Sequence, residues 1–444
     1  NPFARGSGRI RVDRAINAGL VLDETGTNFT AANPANGGKP SSLNIASLAN
    51  RSCFTSCTFT RTFTSKRAAT STWRFDLQGL SGTVTPASAQ IAAGGTQTVT
   101  VTINTTAVAA DGNANFGNLM IREETSPGVF DNNATLNAPI YVAVQPPVIS
   151  VPSTLSVSLA STKLATAEFD VTNIGGSTLN YTVSGGGTGS MTVANATSVG
   201  VNSGFRNTIY TDPATAGSQA QFSADDFVIT ETTHITSIAA DGFVVSAVGL
   251  TAAAVNLMFS IYPDASGLPA GNPQSAPASA VWTYTTSPTG TGITISSSPD
   301  TAQLNLIAAG QNVTLPPGRY WLVVNTRGTF ANRWAQYGSN TASGGTNGFA
   351  SITIATNGTG AWTSNSSFPG LSMRIRGTVA CGASWLGAAY PGSVQLAPTM
   401  SRRTSQFINA GSLQPGSYSA FGCVSSNDPT LPAAAIRVNA TVTP

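Results

Sequence analysis

Residue types that do chemistry are scarce in this 444-residue chain. There is one histidine, His234, in the strand-like run TETTHITS. A Ser-His-Asp triad needs a serine activated by a positioned base, and no GxSxG elbow or Cys/His pairing accompanies that histidine. His234 therefore reads as an ordinary surface or half-buried residue, and the chain reads as lacking a catalytic centre of its own. Asp225 and Asp226, with Glu231 and Asp264 elsewhere in the same region, are oxygen donors of the kind a structural calcium ion takes. The competing reading is a solvated acidic loop. Trp282, Tyr320, Trp321, Trp334, Tyr337 and Trp362 invite comparison with a stacking platform for a sugar or polymer. Aromatics beside apolar strand residues default to core, so Trp334 and Trp362, in more polar contexts, are the surface candidates.

Four cysteines complete the inventory. Cys53 and Cys57 sit close together, and Cys381 and Cys423 lie far downstream. A CxxxC without a second pair or a nearby histidine is poor zinc spacing. Two local disulfides fit better and imply an oxidising compartment. The short loop stabilises by about 2 kcal/mol and the long one by about 4 in the chain-entropy picture.

The elements that must carry these residues are strands. Only 9% of residues are charged, while 41% are apolar, so sizeable cores can form. The rest is rich in Thr, Ser, Asn, Ala and Gly, which suits short strands joined by turns. The fold class is all-β: several β-sandwiches in tandem plus one short N-terminal helix. Net charge is +3, with no basic run, so no nucleic-acid partner is expected. The uncharged stretch 242–263 tempts a membrane span. Val255, Leu257, Phe259 and Ile261 alternate with Asn256, Met258 and Ser260, which predicts a half-buried strand instead. The opening residues show no signal-peptide pattern and read as a cut end.

Arg5, Arg9, Arg11 and Arg14 crowd the first 23 residues. Asp13 is placed to N-cap a short helix through Ala15 that stops at Gly19. Strands are predicted over 42–48, 58–64, 70–77, 97–103, 118–124 and 138–144, before the linker Gln145-Pro146-Pro147. A second unit opens with an alternating run over 148–157 and continues at 167–172 and 179–183. Further strands follow at 227–230, around Gly249, and at 303–307, 319–324 and 434–442. Asn-x-Ser/Thr triplets at Asn28, Asn104, Asn180 and Asn312 are what chance supplies in such a composition.

Residues 1–23, NPFARGSGRIRVDRAINAGLVLD, resemble the end of the subtilisin-like serine protease domain. The resemblance rests on Pro2, Phe3, Gly6, Gly8, Ala15, Gly19, Leu20, Val21 and Asp23, with Ser7 where that family more often has Ala. It implies that the four arginines face a catalytic domain and that the triad lies upstream of Asn1. The continuation through SLNIASLA and Cys53/Cys57 resembles the fibronectin-like domain that follows many bacterial subtilases. AEFDVTNIGGSTLNYTVSG (167–185) resembles the first half of a bacterial Ig-like repeat. The stretch 381–429, through Trp385, Leu386, Pro391, Gly392, Pro415, Gly416, Tyr418 and Ser426-Asn427-Asp428-Pro429, resembles its second half. The segment between is similar to a jelly-roll-like module of secreted bacterial proteins.

These resemblances imply the following organisation: 1–23, the remnant of a catalytic domain; 24–146, fibronectin-like; 147–188 with 378–444, a discontinuous Ig-like sandwich; and 189–377, an inserted jelly-roll-like sandwich. The leading expectation is a non-catalytic accessory region of a secreted subtilisin-like endopeptidase, partnered by the catalytic domain of the same polypeptide. It would position substrate, stabilise the enzyme or attach it to a surface. The alternatives are an extracellular structural protein that self-assembles, and a module that binds carbohydrate or another extracellular polymer. No cofactor beyond structural calcium and no membrane span are expected.

Overall fold

Alternation sets the layers. Along Ser56–Ser65 every second residue turns inward, so Cys57, Phe59, Arg61, Phe63 and Ser65 share one face, as the twofold side-chain period of a strand requires. The computed structural model describes residues 15–200, 203–246 and 248–444. About 54% of the chain is strand and 6% helix, so the all-β, multi-sandwich reading holds.

The first sandwich packs two sheets. One runs Leu20–Leu22, Ser56–Ser65, Thr96–Asn104, Gly82–Thr85. The other runs Leu48–Asn50, Leu136–Val142, Asn115–Ser126, Ser71–Gln78, Ser88–Ile91. Phe59, Trp73, Phe75, Val99, Leu119 and Ile140 fill the space between them. Cys53 and Cys57 form a disulfide at its margin.

The strand expected over 42–48 is displaced. Residues 40–42 form a 3-10 turn and the strand is Leu48–Asn50. The cause is Arg61, whose buried guanidinium donates to the carbonyls of Ser41, Ile45 and Ser47, which are then engaged by the side chain. A helix at Gly26–Ala31, capped by the Thr25 hydroxyl, was not anticipated. Asp13 and the four N-terminal arginines lie outside the described residues.

A second sandwich draws on two distant stretches. One sheet runs Ile149–Ser150, Leu164–Asn173, Ser401–Asn409, Leu386–Tyr390. The facing strands are Thr154–Ala160, Ala433–Thr443, Gly416–Ser426, Leu179–Ser184 and Ser393–Leu396. The alternating run expected over 148–157 is broken around Pro152, and only Ile149–Ser150 and Thr154–Ala160 pair, because proline has no N–H for the ladder.

The chain leaves this sandwich along Gly187–Ala196 and returns along Met373–Cys381. The two strands pair antiparallel, from Gly187 opposite Cys381 to Ala196 opposite Met373. The return strand also pairs with Thr233–Val244, so one continuous ribbon joins the sandwich to what lies between. Cys381 is bonded to Cys423 on the adjacent strand Gly416–Ser426. A Cβ at Gly189 would lie 2.8 Å from the Cys423 sulfur, so the outgoing strand presses against the disulfide only because it is glycine there.

Between the two ribbon strands a seven-stranded sheet forms, in the order Trp282–Thr286, Asn256–Pro263, Gly318–Gly328, Thr208–Tyr210, Ala220–Ile229, Phe349–Ile354, Thr363–Asn365. It is buried on both faces. Phe227, Phe259, Leu322 and Val324 point to one core. Phe222, Tyr262, Trp321 and Ile352 point to another. That two-sided burial explains why YWLVV within Gly318–Gly328 is a continuous apolar run rather than an alternation. Stretch 242–263 is strand, a short helix at Leu250–Ala253, then strand again. Leu257, Phe259 and Ile261 are buried there, whereas Val255 lies outside the strand and is exposed. No helix among the described residues is long and apolar enough to cross a membrane.

Candidate functional site

Asp225 and Asp226 sit in the middle of the buried strand Ala220–Ile229, not in an acidic loop. Side chains alternate along a strand, so the two carboxylates leave it in different directions. Asp225 accepts hydrogen bonds from the Leu371 N–H (2.7 Å), the Ser343 hydroxyl (2.8 Å) and the Asp226 N–H (2.9 Å). Burial pushes its carboxyl up to about 7, against the opposing pull of the Leu371 and Ser343 bonds. Asp226 pairs with Arg319 at 2.5 Å and accepts the Thr346 N–H. Arg319 also lies 3.6 Å from Asp264, which accepts the Trp321 indole N–H at 2.8 Å.

These contacts correct the calcium assignment. The carboxylate oxygens of Asp225 and Asp226 are taken by N–H and O–H donors and a guanidinium. Glu231 lies away from them, 3.9 Å from Arg437. Among the described residues no group of three or more His, Cys, Asp or Glu is placed to hold a metal ion. The aspartates instead fasten the connection 340–348 and the segment around Leu371 onto the sheet. Gly345 and Gly370 permit it, since a Cβ on either would run into the Asp226 or Asp225 carboxylate.

The tryptophan assignments change as well. Trp334 is 1% exposed and faces the core at a strand start, over Gly242, where a Cβ would strike its ring. It cannot serve as a surface platform. Its polar neighbours misled, because Gln336 is itself buried and hydrogen-bonded to Asn207 and to the Ser372 carbonyl. Trp362 is half-buried, donates to the Gly271 carbonyl at 2.9 Å and packs on the second core. Trp282 stacks on Tyr284 with ring centres 6.4 Å apart and donates to Gln311. His234 is half-buried beside Thr314.

The structure brings together a different set of side chains at the far edge of the seven-stranded sheet. A groove of about 530 Å³ runs between Gly204-Phe205-Arg206 and Ala361–Thr363, over a floor of Gln221, Ser351 and Thr353. Arg206 donates to the Gln221 side-chain oxygen at 3.0 Å, and the Tyr210 hydroxyl donates to the same oxygen at 2.8 Å. The Gln221 amide in turn reaches the Thr353 hydroxyl at 3.3 Å. Arg206 also lies over the Phe330 ring (5.6 Å), which Arg333 covers at 4.2 Å. Burial, and then the nearby Arg206 charge, lower the Arg333 side chain's affinity for its proton. Sequence reasoning missed this cluster because its members come from segments more than a hundred residues apart with no shared motif.

No family model matches the chain, and the comparison with curated proteins found no match. Solved structures overlap parts of it. A chain from a chaperone–tip adhesin complex of CFA/I fimbriae biogenesis is 11% identical and has a TM-score of 0.17. The overlap covers 28% of this chain and 65% of that one. The E. coli chaperone DraB is also 11% identical over 32% of this chain and 72% of its own, with a TM-score of 0.19. A Porphyromonas gingivalis W83 protein of unknown function is 8% identical over 89% and 96%, with a TM-score of 0.18. Overlaps of this size carry no argument about function. The two disulfides fit an oxidising, extracellular or periplasmic setting.

Proposed function

We propose that the chain is a non-catalytic accessory region of a secreted subtilisin-like serine endopeptidase, holding the enzyme in a fixed relation to its β-sandwiches. The reading starts from the resemblance of residues 1–23 to the end of that catalytic domain. The observation that carries it further is how the last residues of that segment are bound. Leu20–Leu22 forms an edge strand paired with Phe63–Ser65. The Lys66 N–H donates to the Gly19 carbonyl at 2.8 Å, and Gly19 packs against Trp73 and Arg67, leaving no room for a Cβ. Glu24 accepts the Asn44 N–H at 2.5 Å. The last residues of the motif, from Gly19 onward, are thus part of the first sandwich.

A fluorophosphonate serine probe tests the proposal. The purified 444-residue chain should neither label nor hydrolyse casein. The native polypeptide, captured from its source with an antibody to this chain, should label. Labelling of the isolated chain, or a native polypeptide that does not label, overturns the reading.

A further inference from the structure

We propose that the groove between Gly204-Phe205-Arg206 and Ala361–Thr363 binds an acidic polysaccharide, with the Arg206 guanidinium on a uronate carboxylate. Three features of the groove point to that ligand. First, its cationic group is built in. Gly204 lets its strand approach Gln336, where a Cβ would overlap the Gln336 carbonyl. Gln221 and Phe330 then fix the guanidinium from two sides. An arginine so held loses little side-chain entropy on meeting a carboxylate, and its planar fork suits a two-oxygen anion.

Second, the charge there has no direct counter-ion. Neither Arg206 nor Arg333 has an ion-pair partner among the described residues, whereas Arg319 and Arg374 each pair with an aspartate. The acid close by, Asp212, is engaged by the Phe330 N–H at 2.8 Å. Two guanidinium groups over one phenyl ring repel each other, and an anion relieves that repulsion. Third, the remaining lining suits a polyhydroxylated chain. Ser351, Thr353 and Thr363 offer hydroxyl groups over the already engaged Gln221. Phe205, braced by Phe349 at 4.4 Å, adds an apolar patch for a sugar face. The groove is open rather than enclosed, as a polymer segment requires.

Affinity electrophoresis through gels containing polygalacturonate tests this. The chain should be retarded by polygalacturonate and not by neutral dextran. Arg206→Ala and Arg206→Gln should each weaken retardation about tenfold, the share of one charge-assisted hydrogen bond. Thr353→Ala should weaken it about threefold. Arg402→Ala, at an exposed arginine of the other sandwich, should leave it unchanged, and all variants should melt with the parent chain. An unretarded parent chain overturns the proposal. So does equal loss from Arg402→Ala, or polyglutamate binding as tightly as polygalacturonate.

Discussion

Between Leu20 and Val144 the core is apolar, and Arg61 is the one charged side chain buried in it. Its neighbours there are backbone carbonyls, so it holds a loop. In the inserted sandwich, Asn207, Asp225, Asp226, Asp241, Asn325 and Gln336 are all buried, and most of them bond to other side chains or to backbone of distant strands. For Asp225, Asp226 and Asn325, whose strands belong to the seven-stranded sheet, the difference follows from sheet exposure. A sheet with one wet face sends its polar residues outward by alternation. A sheet covered on both faces has nowhere to send them and must pair them. Pairing fixes which strand sits beside which. Asn207 reaches both Ser223 and Gln336, and Asp241 takes Arg374, Thr301 and Ser372.

The two disulfides offer the largest test of that contrast. One closes a short loop at the margin of the apolar sandwich. The other closes a loop of sequence separation 42 at the base of the ribbon, where it leaves the second sandwich. Replacing Cys381 and Cys423 with Ala should destabilise by about 4 kcal/mol, against about 2 for Cys53 and Cys57. Urea unfolding read by hydrogen exchange of peptides from each region checks it. Equal losses would mean that the ribbon is held by its ladder alone. A step below this lies Asp241→Ala, which strands Arg374, Thr301 and Ser372 together. Arg374 is 37% exposed at its side chain, so water meets part of the loss, and about 2–3 kcal/mol is expected. Exchange should rise in 233–244 and 300–305 and stay unchanged in 56–104.

A pH titration separates the regions more finely. Asp225 in the folded chain holds its proton up to about 7, above its ordinary value of 3.8. Between those values the folded state keeps a proton that the unfolded state releases. Stability of the insert from this group is therefore present at low pH and falls as pH rises from about 4 to about 7. Asp428 in the second sandwich behaves oppositely. Burial raises it, but the Ile149 N–H and the Thr430 hydroxyl and N–H outweigh that and hold it below the ordinary value. Its contribution is present above 3.8 and is lost as pH falls through its lower folded value. Urea midpoints at pH 5 and 8 should drop for the insert and stay level for the sandwich. Asp225→Asn should flatten the insert's slope, and a slope unaltered by it would assign the titration elsewhere.

Much of the strand pattern could be read because alternation is local. Thr58–Thr64 and Ala434–Val442 carry their faces in their own residues, and both lie within observed strands. Where burial depends on what covers a strand, local reading failed. Asp225 and Asp226 looked like an acidic loop, since nothing in QFSADDFVI announces that a second layer lies over it. Trp334 looked exposed because Arg333 and Gln336 flank it, yet Gln336 is buried by partners 129 and 36 residues away. Ser42–Leu48 looked like a strand because the carbonyl-collecting role of Arg61 is set by tertiary contact. The groove at Arg206 had no local signature at all. Its floor and walls meet only once the sheet order is known.

The smallest effect bears on the two most buried tryptophans. Trp73 in the apolar sandwich donates its indole N–H to the Ser71 hydroxyl at 2.8 Å and lies under Arg67, 6.0 Å from its ring. Among the described residues Trp334 in the insert has no acceptor for its indole N–H, although it lies amid a polar network. Phenylalanine keeps most of the apolar contact in both places. Trp73→Phe also loses a satisfied hydrogen bond and weakens the cation–π contact, whereas Trp334→Phe removes a buried donor that nothing answers. Trp73→Phe should therefore cost about 1 kcal/mol more than Trp334→Phe. Hydrogen exchange of 71–78 and 334–339 in the two variants measures the difference. If Trp334→Phe proves the costlier change, its N–H must be answered by an ordered water, and the insert's polar network extends one member further than its protein partners show.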